Sequence, residues 1–510
     1  MRRTESKVHV LLSTMRAVTC ESPFVAALLH LEDRKMIAVS TVSAQASQRG
    51  AARELFPTAE FLERGLGNWP KSGGISYSNE AKNLYSRVSN LANFMEFKRN
   101  VISSLNRHDS SGTFRLIDRE AYFDQELLEI LSIISQNRIT HLFFDVTPHV
   151  SRDYMLFWLA KALGLRVLFL QPVPWAGLAL AKSELVGSIP ANSGIWNDKK
   201  NEKAASFLEF AFSQGNRLVE NLKNSNADWV SKYQSPEIRK LESRTFAPWK
   251  ILRSVGRKMV GQNSISFSGL ERVGPIDKLL AVLLEWRLRR DFLAERQSII
   301  EEAPTTSGSY VFLALTHEPE RTFFPEALPH DSQFSIAVQI AAGLESWQKL
   351  VVKEHETQFV PGRRGYASRS LQFYRTLSRI SGIEVVPSTA SSKTLVDGSL
   401  AVVTATGTVA IEAALRGKPS YYYGNPWWAG FPGTHKLDGF DRISLEESSP
   451  PTSASIRDWL SGLVSSCVPT TSNVELQQFS EKFAALPEYF SDLEKSSIQL
   501  TLEDFISSRP

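Results

Sequence analysis

Short apolar runs and amphipathic stretches alternate in two separate parts of the chain. In the first part, HLFFDVTPHVSRDYMLFWLAKALGLRVLFLQ reads as a strand from His141, an amphipathic helix from Ser151 and a second strand from Arg166. Gly164 supplies the stop for that helix, since glycine takes the left-handed backbone of a helix end at little cost. Such a βαβ unit predicts parallel strands and a right-handed crossover. In the second part, YVFLAL from Tyr310, KLVVKE from Lys349, IEVVP from Ile383 and AVVTAT from Ala401 read as strands. Helices are predicted around Ser335 to Ala342 and Leu371 to Ile380, and the strand, polar turn, helix and strand of VVTATGTVAIEAALRGKPSYYYG close the series.

Alternation of this kind predicts the α/β class, with two Rossmann-like parallel sheets whose crevices lie beyond the strand carboxyl ends and face each other across a cleft. The expected division is an N-terminal domain over 1–191, a helical and basic linker over 192–302, a second α/β domain over 303–445 and a helical segment over 446–510. A length of 510 residues fits this division, because it exceeds what one ordinary core organises.

Composition removes several function classes. The chain has only Cys20 and Cys467, with no CxxC or clustered His, so neither a disulfide framework nor a metal site is expected. No apolar run reaches the roughly 18–20 residues that cross a bilayer. MRRTESKVHVLLST reads as a first buried strand rather than a secretory signal, which gives an expected cytoplasmic location. The net charge of +4 does not argue for nucleic acid. Basic residues do concentrate between Arg239 and Arg296, beside Trp249, Ile251 and Leu252. Those helices read either as solvated linker faces or as a peripheral contact with the cytoplasmic face of an anionic inner membrane.

Candidate chemistry collects at the predicted strand ends. In the second part, His317 and Glu320 follow the first strand, Lys353 and His355 the second, Ser391 and Ser392 the third, and Thr406, Gly407 and Thr408 the fourth. Hydroxyls and a helix N-terminus suit phosphate oxygens, and Thr406 or Thr408 is placed to cap the helix that follows. Imidazole or ammonium beside a leaving phosphate offsets its growing charge. Glu412, one turn into the helix, reads either as a ribose-binding carboxylate or as an ordinary helix residue. Neither GxGxxG nor GxxxxGK[ST] occurs at these loops, which disfavours dinucleotide redox and P-loop hydrolysis. In the first part, Asp145, His149 and Asp153 follow the His141 strand as candidates for nucleophile, acid or base, or as capping and helix-dipole groups. Gln171, Trp175 and Glu184 lie beyond the next strand as acceptor-side candidates.

Several of these segments, taken in order, resemble the capsule polysaccharide biosynthesis family, which includes bacterial Kdo transferases. LTHEPE resembles the family's LHxQPE, VVKEHE its VKEHP, and ATGTVAIEAALRGKP its tTGTxxxEAxxxGKP, with Ser391 and Ser392 standing for its serine pair. FPGTHK and TPHVSRDYMLFWLAKALG add weaker counterparts. The resemblance implies two domains of the glycosyltransferase GT-B type and a nucleotide-sugar donor, CMP-linked and carrying Kdo or a related acidic sugar. It also implies a glycan or glycolipid acceptor and no metal or other cofactor. It assigns the CMP moiety to His355 and to Ser391 or Ser392. Glu356 replaces the motif proline, which puts CMP rather than UDP in question, and no EDGF-like acidic segment is present. A UDP-sugar transferase or UDP-GlcNAc 2-epimerase-like enzyme, and a non-catalytic capsule assembly or export protein, are the alternatives.

Overall fold

The structure is a computed structural model describing residues 8–14, 18–63, 77–105, 115–173, 177–185, 202–224, 310–318, 323–359, 368–388, 390–438, 443, 445, 448–470 and 491–507. The basic segment between Arg239 and Arg296, with Trp175 and Glu320, lies outside the described residues. The chain divides into two units: Met1–Ser103, Ile117–Leu218 and Arg457–Pro510 form the first, and Ser104–Leu116 with Val219–Ile456 the second.

In the first unit the strands are β1 (His9–Ser13), β2 (Ala38–Ala44), β3 (Glu60–Glu63), β4 (His141–Phe144), β5 (Arg166–Val173), β6 (Leu178–Lys182) and β13 (Cys467–Pro469). They lie in the order β13-β6-β5-β4-β1-β2-β3. The pairs from β3 through β5 are parallel, as the alternating pattern predicts, while β6 runs antiparallel to both β5 and β13. The expected helical segment after 446 therefore also supplies an edge strand to this sheet, between helices Ser453–Ser465 and Ser491–Ser507. The predicted helix runs over Ser151–Leu163 and ends at Gly164, whose φ of 75° is left-handed.

The second unit holds β7 (Tyr310–Ala314), β8 (Lys349–Lys353), β9 (Ile383–Val386), β10 (Ala401–Thr404), β11 (Ser420–Tyr422) and β12 (Thr434–Lys436). Their order is β12-β11-β10-β7-β8-β9, and every pair is parallel. Strand periodicity explains why β7 is apolar throughout: Val311 and Leu313 pack into one core, while Tyr310 and Phe312 pack into another on the opposite face. The chain leaves β7 toward β8 and β9, then returns to build β10, β11 and β12 on the other side. The strand order thus reverses at the β7/β10 junction, the position at which an open α/β sheet places its ligand crevice beyond the strand carboxyl ends. In the first unit the same reversal falls between β1 and β4.

Candidate functional site

Thr404 ends β10 and shapes the TATGT turn. Its hydroxyl donates to the Ala314 carbonyl at 3.0 Å and accepts the Gly407 N–H at 3.2 Å, joining the two strand ends that flank the crevice. A Cβ on residue 407 would stand 2.8 Å from that hydroxyl, so glycine is required here by close approach. The buried Trp428 donates its indole N–H to the Thr406 carbonyl at 3.2 Å and fixes the turn from below. Thr408 occupies the N-cap position of helix Val409–Leu415 but makes no side-chain cap hydrogen bond, contrary to the expected capping role.

Glu412 lies in the first turn of that helix, 7% exposed, and its Oε2 is buried without a hydrogen-bond partner. Burial pushes its carboxyl up to about 7, against the pull of Arg416 and Lys353. A buried acceptor without a donor costs free energy.

Lys353, the last residue of β8, is buried and donates to Ser392 Oγ at 2.9 Å, with Glu356 Oε1 at 3.5 Å. Burial holds its ammonium below the usual lysine range, opposed by Glu356, Glu354 and Glu412. Glu356 thus stands as a counter-ion to Lys353. The two serines divide their work. Ser391 accepts the Thr394 N–H at 3.3 Å as N-cap of helix Ser392–Gly398, while Ser392 receives Lys353.

His317 and His355 come together as the adjacent strand ends predict, with ring centroids 5.9 Å apart. Thr357 Oγ1 lies 2.8 Å from His355 Nδ1 and 3.4 Å from His317 Nδ1. Two glutamines hold the His317 loop by its backbone. Gln333 accepts the Thr316 N–H at 2.6 Å and donates to its carbonyl at 2.8 Å, and Gln358 does the same for Glu318 at 2.9 and 2.6 Å. Beneath His355, Glu354 receives Arg369 Nε at 2.7 Å, the Tyr374 hydroxyl at 2.7 Å and the His355 N–H at 2.9 Å. Burial raises the Glu354 carboxyl, but these partners outweigh it and hold the group below the usual carboxylate range. Arg369 also pairs with Glu318, and its two carboxylates raise its guanidinium against the effect of burial.

In the first unit, the β1/β4 reversal brings Asp145, His149 and Asp153 to one sheet edge. Thr14 donates to Asp145 Oδ2 at 2.6 Å and Ser13 to Asp153 Oδ1 at 2.7 Å, and both carboxylates are buried. His149 Nδ1 is 2.7 Å from the Thr147 carbonyl. Gln171 is buried on β5 and accepts Lys182 Nζ at 3.3 Å, whereas Glu184 forms an exposed ion pair with Lys161. Glu184 therefore stands apart from the carboxylate cluster in its bonding.

Sequence reasoning missed Ser13 and Thr14, although hydroxyls closing the HVLLST run follow the same strand-end rule that selected Asp145. It also missed Arg369, Tyr374, Gln333, Gln358 and Thr357, whose roles rest on partners distant in sequence and leave no local signal.

No protein-family model matches the chain, and no curated protein matches it. Among solved structures, similarity extends to the KpsC β-Kdo 2,7 transferase of Thermosulfurimonas dismutans, at 13% identity over 67% of this chain and 80% of that one, with a TM-score of 0.26. The UDP-GlcNAc 2-epimerase of Neisseria meningitidis, bound to UDP-GlcNAc, matches at 10% identity over 98% and 100% of the chains, with a TM-score of 0.21. That of Methanocaldococcus jannaschii matches at 12% over 86% and 90%, with a TM-score of 0.20. These identities and scores do not assign the chain to either kind of enzyme. The α/β class with two Rossmann-like sheets rests on the strand orders themselves. Among the described residues no helix is long and apolar enough to cross a membrane.

Proposed function

We propose that this chain is a glycosyltransferase of cell-surface polysaccharide synthesis that takes its sugar from a nucleotide donor. The second unit holds the nucleotide and the first handles the acceptor hydroxyl. The observation that carries the reading is the buried, unpartnered Oε2 of Glu412 beside the β7/β10 crevice, a seat for a ribose hydroxyl. Around it, His317 and His355 supply imidazoles for phosphate oxygens. Lys353 reaches the same loops, but its charge is already shared with Glu356. CMP is the favoured nucleotide and an acidic sugar of the Kdo type the favoured cargo, on the motif resemblance. A cytoplasmic location with peripheral membrane contact belongs to the same proposal.

The test is a thermal-shift titration with CMP, UDP and GDP on wild type and His355→Ala, since a ligand bound only by the native state raises the midpoint. Stabilisation by CMP that disappears in His355→Ala supports the proposal. A response to UDP alone moves the donor class to UDP-sugars, with transfer or epimerisation as the chemistry. Silence toward all three refutes the nucleotide site and favours a non-catalytic assembly protein.

A further inference from the structure

Lys353 ends β8 with its ammonium held between two side chains that both reach the surface. It donates to Ser392 Oγ at 2.9 Å, and Glu356 Oε1 stands 3.5 Å away. A charge-assisted hydrogen bond closes to about 2.7–2.9 Å, so the second contact is a loose ion pair. The two ends of that pair differ in freedom. The Lys353 side chain is 5% exposed and that of Glu356 40%. The backbone under Glu356 is fixed by its own turn, where the Gln358 N–H donates to the His355 carbonyl at 2.9 Å, and by the Gln358 side chain on the Glu318 backbone. The Glu356 side chain is therefore the part left to move. Among the described residues, the other carboxylates whose field reaches Lys353 are Glu354 and Glu412. Glu354 is bound by Arg369 and Tyr374, and Glu412 is buried in its helix, so neither can turn into water.

We infer that Glu356 is a resident anion on a phosphate subsite: its carboxylate occupies the Lys353 ammonium, and a ligand phosphate binds there by displacing it. The inference deepens the proposed function and rests on it for the identity of the ligand. An incoming phosphate cannot simply join the existing pair, because its charge would lie beside the Glu356 carboxylate, and like charges repel strongly where water is scarce. Turning the Glu356 side chain into solvent removes that repulsion, at the cost of the ion pair given up. Ser392 stays in place and keeps Lys353 oriented while its partner changes. Displacement subtracts the same amount from the binding of every phosphate, so it acts as a threshold. A ligand held by its phosphate alone is weakened to the point of loss, while one also held by base and ribose keeps useful affinity. Glu356 is thereby a specificity-determining residue of the second unit.

Calorimetric titration of the full chain with inorganic pyrophosphate, CMP, UDP, GDP and cytidine tests this on wild type, Glu356→Gln and the double variant Glu356→Gln/Lys353→Met. Glutamine keeps the length of the side chain and removes its charge. The expected result is pyrophosphate binding about three- to tenfold tighter in Glu356→Gln, with no gain for cytidine, which brings no anion, and with the gain lost in the double variant. Glu356→Ala serves if the Gln variant fails to fold. Unchanged or weaker pyrophosphate binding overturns the inference, as does a gain that survives Lys353→Met, a gain for cytidine, or the absence of pyrophosphate binding in all three proteins. The nucleotides separate this claim from the one it rests on. If the pyrophosphate gain is found and no nucleotide binds, the displaceable carboxylate stands and the nucleotide reading fails. If a nucleotide binds wild type and Glu356→Gln equally well, the nucleotide reading stands and the inference about Glu356 fails.

Discussion

Replacing Glu412 by Gln tests the buried carboxyl from which the nucleotide reading starts. Its carboxyl rises from an ordinary 4.5 to about 7 because burial removes water and no donor replaces it at Oε2. The unfolded chain binds the proton less tightly than the native one. The contribution to stability is therefore fully present below pH 4.5 and is lost as pH rises through about 7. A gap of about 2.5, at 1.36 kcal/mol for each tenfold change, corresponds to about 3 kcal/mol lost at alkaline pH. Most of this, about 2–3 kcal/mol, falls between pH 5 and pH 9. Glutamine keeps the shape and cannot ionise, so the stability difference between variant and wild type should move in favour of the variant by that amount over the range. A constant offset from its own unpaired amide does not affect the slope. Urea unfolding at pH 5, 7 and 9 reads the difference. Parallel pH curves for the two proteins would refute the reasoning. The same group gives a ligand signature, because a hydroxyl donating to Oε2 favours the carboxylate. Nucleotide binding near pH 7 should then release about half a proton, seen as a dependence of calorimetric heat on buffer ionisation enthalpy.

Arg369→Met removes the guanidinium that balances buried Glu354 and Glu318. It should cost about 3–5 kcal/mol in urea unfolding, because a charge is left uncompensated. Gly407→Ala should destabilise by about 1–3 kcal/mol through the contact of its Cβ with the Thr404 hydroxyl. In a Thr404→Ala background the penalty should shrink, and additive costs in that double-mutant cycle would refute the contact. His141, drawn down to about 4 by burial and by Arg166, contributes stability that is present above the ordinary 6.5 and lost as pH falls through about 4. His141→Gln should therefore flatten the acid limb of stability between those values, and an unchanged limb would place the acid sensitivity elsewhere.

Local pattern was enough to read the strands of β4, β5, β7, β8 and β10, because a strand buried on both faces carries a run of apolar residues through its middle. It was also enough to stop the helix at Gly164 and to place His317, Lys353, His355, Ser392 and the Gly407 turn at strand ends, since strand direction fixes which end a loop follows. What each polar side chain does there came from tertiary structure. Ser391 is spent on a helix cap, Glu354 is matched by Arg369 and Tyr374, and Glu412 has a buried oxygen with no partner. The same holds for the edge of the first sheet, where Cys467–Pro469 pairs antiparallel with Leu178–Leu180 from a distant part of the chain. The physical reason is common to these cases. Periodicity records which positions leave water, and that depends on near neighbours. The partner of a buried polar group depends on which strands become adjacent, a choice made by the packing of the whole unit.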